Sequence, residues 1–279
     1  MKLTSRSFRV PLLLCLVAGK EFQPYADNGG TLIGIAGRDY SLLAADTRLS
    51  DSYFIRSRTI RRIHVLDQST RSASDNPNEI VNDNDNENQQ RDEEFGSLLF
   101  GAAGCWADAL GLLQGIREDI TRYLWENDRP LSINGLSHLL STTLYGRRTF
   151  PYYSLCVIAG LDDESHQGSV YRFDSVGSFE RVCATCAGKG EQLIQPMLDE
   201  ATESDTSGDS DLWIIDTQGD TFTSKNPASR TNLSLDEACK LVVKAFQAAA
   251  EREITIGDGV EIVISTRHGI LRRKHKLPK

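Results

Sequence analysis

The sequence predicts an α+β fold, and three observations carry that prediction. Strand-like and helix-like segments come in separate runs: strands, two helices, strands, two helices, strands. Each helical segment is apolar along one stripe only, so another layer must cover it. Short polar connections between successive strand segments call for antiparallel neighbours, whereas a parallel sheet would need a helix after each strand. At 279 residues and 39% hydrophobic content, the chain has enough apolar material for one domain of this kind.

In order, TLIGIAG (31–37) and SLLAADTRL (41–49) read as strands joined by the turn Arg38-Asp39. FIRSRTIRRIHVL (54–66) reads as a third strand with one strongly basic face. The acidic insertion at 68–95 follows, within a hairpin whose second strand is SLLFGAAG (97–104). Its apolar content is too small to offset the entropy of ordering it, so disorder is expected. Long loops add little closure cost, so the hairpin tolerates it.

CWADALGLLQGIREDITRYLWEN repeats Trp106, Leu110, Leu113, Ile116, Ile120, Tyr123 and Leu124 at helical steps. SINGLSHLLSTTLYGRR opens behind Pro130 and Ser132 and continues the pattern with Leu136, Leu139, Leu140 and Leu144. Three strands follow, YYSLCVIAGLD (152–162), GSVYRFDSVGSF (168–179) and RVCATCAG (181–188). A third helix is expected over about 190–200, then an acidic loop and the helix SLDEACKLVVKAFQAAAERE. Ser234 and Glu237 fit a capping box there, with Leu241, Val242, Ala245 and Phe246 on the buried stripe. VEIVIST and a basic strand close the chain.

The formal charge of −8 is concentrated rather than spread. Residues 68–95 carry −6, residues 199–220 carry −8 and residues 267–279 carry +6, which leaves the rest near neutral. A near-neutral body lacks the clustered cations of a nucleic-acid surface, and the basic tail reads as solvated or docked on a partner. The start, MKLTSRSFRVPLLLCLVAG, reads either as a secretory signal or as a pro-segment, and its apolar run is too short to span a membrane. Six cysteines, at 15, 105, 156, 183, 186 and 239, suit reduced buried thiols. Cys183 and Cys186 form a lone CxxC, read as core strand residues, with a redox or metal site as the rival. No P-loop, GxGxxG, HExxH or GxSxG occurs, and no cofactor or metal is expected.

GGTLIGIAG, LLAADTRLS, FIRSRTIRRI, LFGAAGCWAD, FPYYSLCVIAGLDDE and the late ERE-x3-GDG stretch together resemble the proteasome beta-type subunits, members of the N-terminal nucleophile hydrolases. NGGT, TLYGRRTFPYY and VYRFDSVGSFER resemble the sixth beta-type branch, called beta type-1 in mammals. The resemblance runs from about Phe22 to Ile270 outside the two acidic loops. It implies a four-layer αββα sandwich at 29–279, behind a pro-segment at 1–28, seated in a ring of the 20S core. It also implies other alpha and beta subunits as partners, unfolded polypeptides as substrates of the whole, and a place in cytoplasm and nucleus. Neither nucleic acid nor membrane is expected as a partner.

In active members of the family an N-terminal Thr is the nucleophile and its α-amine the proton acceptor, with an Asp and a Lys in support. Here Asp46 falls at the Asp and Arg62 at the Lys. Thr31 precedes Asp46 by fifteen positions, one short of the family separation. A one-residue slip in a strand turns every side chain to the other face. The match therefore puts Thr31 inside the first strand and Gly29 at the nucleophile. Arg62 cannot act as a tuned amine. The Ser-bearing turn reads Gly188-Lys189-Gly190-Glu191, and the later supporting Asp and Ser read Glu253 and Ile256. The resemblance thus implies a non-catalytic subunit that completes the ring and shapes the pocket of an adjacent chymotrypsin-like subunit, with Asp162 and Asp174 facing that pocket. The alternative is an active hydrolase that cleaves itself at Gly30-Thr31 and uses Thr31.

Overall fold

A computed structural model describes residues 25–66, 68, 98–203 and 231–277. Two five-stranded antiparallel sheets stack face to face. The first runs in the order β10 (Ala184–Gly188), β1 (Thr31–Ala36), β2 (Tyr40–Asp46), β11 (Gly259–Thr266) and β12 (Gly269–Lys276). The second runs β5 (Ile63–Leu66), β6 (Leu98–Gly104), β7 (Ser154–Leu161), β8 (Gly168–Phe173) and β9 (Phe179–Val182). Helices α1 (Trp106–Asn127) and α2 (Ile133–Gly146) cover the second sheet, and α3 (Glu191–Glu203) and α4 (Leu235–Ala250) cover the first.

Strand periodicity explains the four layers. In β1, Leu32 and Ala36 enter the core between the sheets, with Leu43, Leu99, Val157 and Val263. Ile33 and Ile35 point the other way, into the core beneath α4 with Val242 and Phe246. Both faces are covered, so the strand reads as an unbroken apolar run rather than an alternating one.

Ser132 caps α2 through the Gly135 N–H, and Ser234 and Glu237 form the capping box of α4. On α1, Leu110 is 42% exposed while Leu112 and Ala109 are buried, so the buried stripe is rotated from the expected one. Leu241 is partly buried beside Val242, Ala245 and Phe246.

Four expected strands are each two, and RVCATCAG divides at Cys183 between β9 of the second sheet and β10 of the first. SLLAADTRL breaks after Asp46, where Arg48 leaves the ladder to bond Asp258 at 2.7 Å and the carbonyl of Ile254 at 2.7 Å. β3 (Leu49–Asp51) then pairs with β4 (Phe54–Ser57) in a separate hairpin. FIRSRTIRRIHVL is therefore β4, a loop, and β5, with Arg62 turned into the interior between them. GSVYRFDSVGSF breaks at Asp174, whose Oδ1 accepts N–H bonds from Val176, Gly177 and Ser178 at 2.9, 2.7 and 2.8 Å. Apart from Gln68 the acidic insertion lies outside the described residues, as do the first 24 residues and most of the second acidic loop. No described helix is long and apolar enough to cross a membrane.

Candidate functional site

β1 and β2 pair with Leu32 opposite Ala45, which brings Asp46 beside the start of β1. Asp46 Oδ1 accepts the Thr31 N–H at 2.8 Å. Arg62 enters from the loop before β5, with Nε 3.5 Å from the same oxygen, and neither side chain is exposed to solvent. Its Nη2 donates to the carbonyls of Arg48 at 2.6 Å and Asn28 at 3.3 Å. Its Cζ lies 5.8 Å from the centroid of the Trp106 ring. Burial pushes Asp46 up to about 6, against the pull of Arg62 and of the Thr31 and Arg48 N–H groups. Burial likewise lowers Arg62, and Asp46 and then Asp27 oppose that shift. At neutral pH the two form a buried ion pair, since the guanidinium does not give up its proton.

The residues before β1 are shaped around this pair. Gly29 has φ +69° and Gly30 φ +99°, the left-handed region in which a side chain is strained. A Cβ on Gly30 would lie 2.5 Å from Arg62 Cζ, and one on Gly29 would lie 2.8 Å from Ser50 Oγ. The Arg62 guanidinium fills the space that a side chain at 30 would need. Both glycines line a cleft of about 240 Å3 with Gly104, Tyr153, Gly188 and Lys189. Lys189 Nζ is 2.5 Å from Asp27 Oδ2. That hydrogen bond raises Lys189, while Asp27 is lowered on balance although partial burial pulls it up. Lys189 is thus a held cation rather than an amine base.

Thr31 does not line the cleft. It is wholly buried, paired with Gly188, and its Oγ1 accepts the Gly190 N–H at 3.0 Å. Ile256 is buried beside it, so close that a Cβ on Gly190 would meet Thr31 Cγ2 at 2.8 Å and Ile256 Cδ1 at 2.9 Å. Glu253 stands one step away and accepts the Thr255 N–H and hydroxyl at 3.1 and 2.8 Å. The structure thus gathers Gly29, Thr31, Asp46, Arg62, Lys189 and Ile256 around the amino end of β1.

Asp162 and Asp174 are not brought together. They sit in the turns at opposite ends of β8, about 20 Å apart for a six-residue strand. Ser175 lines this chain's own cleft, so Asp174 is at the cleft end. Asp162 Oδ1 accepts N–H groups of Glu164 and Ser165 at 3.2 and 3.3 Å. Partial burial pulls Asp162 up, but the Ser165 and Glu164 bonds and Arg181 hold it below the usual range. Of the CxxC pair, Cys186 is buried with its thiol pushed up by that burial, and Cys183 lies between β9 and β10.

Sequence reasoning missed Asn28. Its Oδ1 accepts the Trp106 N–H at 3.0 Å and its Nδ2 donates to the Ser50 carbonyl at 3.2 Å. Cys105, at the N-cap position of α1, makes no side-chain cap of its own. A long helix without a Ser, Thr, Asp or Asn ahead of it was the available signal.

Two sheets packed between helical layers, with the first strand opening on a cleft beside a buried Asp, define an α+β sandwich of the N-terminal nucleophile hydrolase class. A family model described as proteasome subunit matches residues 26–73 and 96–213, more than half of the chain, and the chain belongs to that family. It is 34% identical over 260 residues to proteasome subunit beta type-6 of Saccharomyces cerevisiae, covering 93% of this chain and 92% of that protein. It is 35% identical over 250 residues to proteasome subunit beta type-1 of Arabidopsis thaliana, covering 89% and 92%. Beta type-1-B of Carassius auratus is 32% identical over 250 residues, covering 90% and 86%. The chain is accordingly a beta-type subunit of the 20S core that assembles with other proteasome subunits.

Proposed function

We propose that this subunit is non-catalytic, and that it completes its ring and shapes the substrate pocket of an adjacent chymotrypsin-like subunit in cytoplasm and nucleus. One observation carries the reading. Gly29, which the resemblance sets at the nucleophile position, and Gly30 beside it hold a backbone conformation that disfavours a side chain, with Ser50 and Arg62 filling the space. Thr31, the nearest hydroxyl along the chain, is a wholly buried strand residue with its oxygen committed to Gly190. The two basic side chains of the cluster are also engaged as cations, Arg62 with Asp46 and Lys189 with Asp27, so neither offers a free amine.

Between the two carboxylates, Asp162 is the one we assign to the neighbour, because Asp174 belongs to the end that frames this chain's own cleft. Asp162→Ala in assembled particles is expected to lower hydrolysis of chymotrypsin-type peptides by about ten- to a hundredfold, through loss of a charged hydrogen-bond acceptor of roughly 1.5–3 kcal/mol. Asp174→Ala is expected to leave it unchanged, and unchanged rates in both would sink the pocket role. The non-catalytic reading is tested separately, by intact mass, N-terminal sequencing and a threonine-directed covalent probe on native particles. A start upstream of Thr31 without label is expected; a labelled, free Thr31 would make the chain a self-processed hydrolase.

A further inference from the structure

We propose that the outer edge of β12 is a docking site for an extended acidic segment of another polypeptide, which joins the first sheet as an added strand. β12 is the last strand of its sheet, and among the described residues no backbone group pairs with its outer side. Leu271 to Lys276 are exposed, and Arg272, Arg273, Lys274, His275 and Lys276 follow one another without interruption. This basic run stands on a chain whose formal charge is −8.

Charges on an edge commonly keep stray strands away. Guarded edges, however, are short, bulged or bent. β12 instead holds unbroken register with β11 over eight residues, from Gly259 opposite Lys276 to Thr266 opposite Gly269. Its far end is pinned, because Leu277 is 2% exposed and its N–H donates to the Asp258 carbonyl at 3.2 Å. The edge is therefore straight and pre-ordered, the form that strand addition needs.

The side chains specify the partner. Arg273 and His275 turn toward α4, reaching Asp236 at 3.7 Å and Gln247 at 3.4 Å. Arg272, Lys274 and Lys276 share the other face, where Arg272 is spent on Glu261 at 3.1 Å. Lys274 and Lys276 have no ion-pair partner among the described residues and stand about 7 Å apart along the strand. A complementary segment is extended and carries Asp or Glu two positions apart on one face, so that cross-strand pairs form. A helix does not meet this demand, since positions two apart diverge. Nor does nucleic acid, which would leave the row of edge peptide groups unpaired.

Zero-length carbodiimide coupling on native particles, mapped by mass spectrometry, tests the proposal through contact alone, whether or not the chain is catalytic. Lys274 and Lys276 are expected to link to carboxylates two residues apart in one stretch of a different chain. Particles built with Lys274→Glu and Lys276→Glu are expected to retain that chain about tenfold less well at physiological salt, where surface pairs are already partly screened. The proposal is overturned by any of four results: lysines 274 and 276 unlinked while other lysines react; links confined to this chain's own carboxylates, residues 204–230 included; linked carboxylates spaced three or four apart on a helix; or protection that nuclease removes.

Discussion

Arg62 sets the character of the site more than any other residue. It forms a buried pair with Asp46, occupies the space a side chain at residue 30 would take, and leaves Nε and Nη1 without a hydrogen-bond partner. Placing a hydroxyl at residue 29 or 30 is therefore not a matter of one substitution. Gly29→Thr is expected to remain unlabelled by a threonine-directed probe and to melt lower, by roughly 1–3 kcal/mol of backbone strain and crowding against Ser50. Covalent labelling of that variant would contradict the geometry. The same pair sets a pH dependence. In an unfolded chain Asp46 titrates near 3.9, about two units below its folded value of about 6. Between those values the folded chain holds a proton that the unfolded chain has released. Stability from this group is thus fully present below about pH 4, falls as pH rises to about 6, and is level above, a total on the order of 3 kcal/mol. Melting of the parent compared with Asp46→Asn from pH 4 to 7 should show this slope in the parent alone. Arg62→Met should cost about 3–5 kcal/mol at neutral pH and carry the slope higher, because the unpaired carboxylate then binds its proton more tightly.

At the level of the elements, Asp258 joins two parts of the chain that no strand pairing connects. It sits at φ +65° ahead of β11, with one oxygen on Arg48 and the other on Arg58, on either side of the β3–β4 hairpin. Asp258→Asn keeps a residue that tolerates the left-handed conformation and removes the charge. It is expected to cost about 1–2 kcal/mol and to speed amide exchange in β3 and β4 well before the main sheets, with Asp258→Ala costing more. Equal exchange in all strands would mean that the hairpin is held by something else. This link also shows where the sequence stopped being legible. Helix and strand types followed from periodicity, and the α2 and α4 caps from Ser132 and Ser234. The breaks at Arg48 and Arg62 did not, because each is caused by a partner far along the chain, Asp258 or Asp46, and a local pattern carries no trace of it. The cap of α1 was hidden for the same reason, since Asn28 supplies it from 78 positions away.

For the molecule as a whole, the question is which chain end the fold is built to keep. Spacing alone argued against Thr31 as the nucleophile, and the structure adds what spacing could not show: residues 25–30 are wired into β3, β6 and α1 and into the segments before β7 and after β10. Tyr25 donates to the Pro151 carbonyl at 2.7 Å and stacks on Phe150, with ring centroids 5.4 Å apart. Asn28 caps α1, its N–H donates to the Gly104 carbonyl at 3.2 Å, and its carbonyl accepts from Ser50 at 3.3 Å. The carbonyls of Gly29 and Gly30 accept from Gly104 and Lys189, each at 3.0 Å. Cleavage at Gly30-Thr31 would strip these bonds from groups near the Arg62 charge, at about 1 kcal/mol for the cap and a similar amount for each orphaned N–H. The sum is several kcal/mol, a large part of the 5–15 kcal/mol that holds a typical domain. A full chain with residues 1–30 deleted is therefore expected to enter particles poorly in cells, whereas one that begins at Tyr25 should assemble like the parent. Incorporation measured by native mass spectrometry decides the matter: equal assembly of both would show that residues 25–30 are dispensable and would reopen Thr31 as a mature N-terminus.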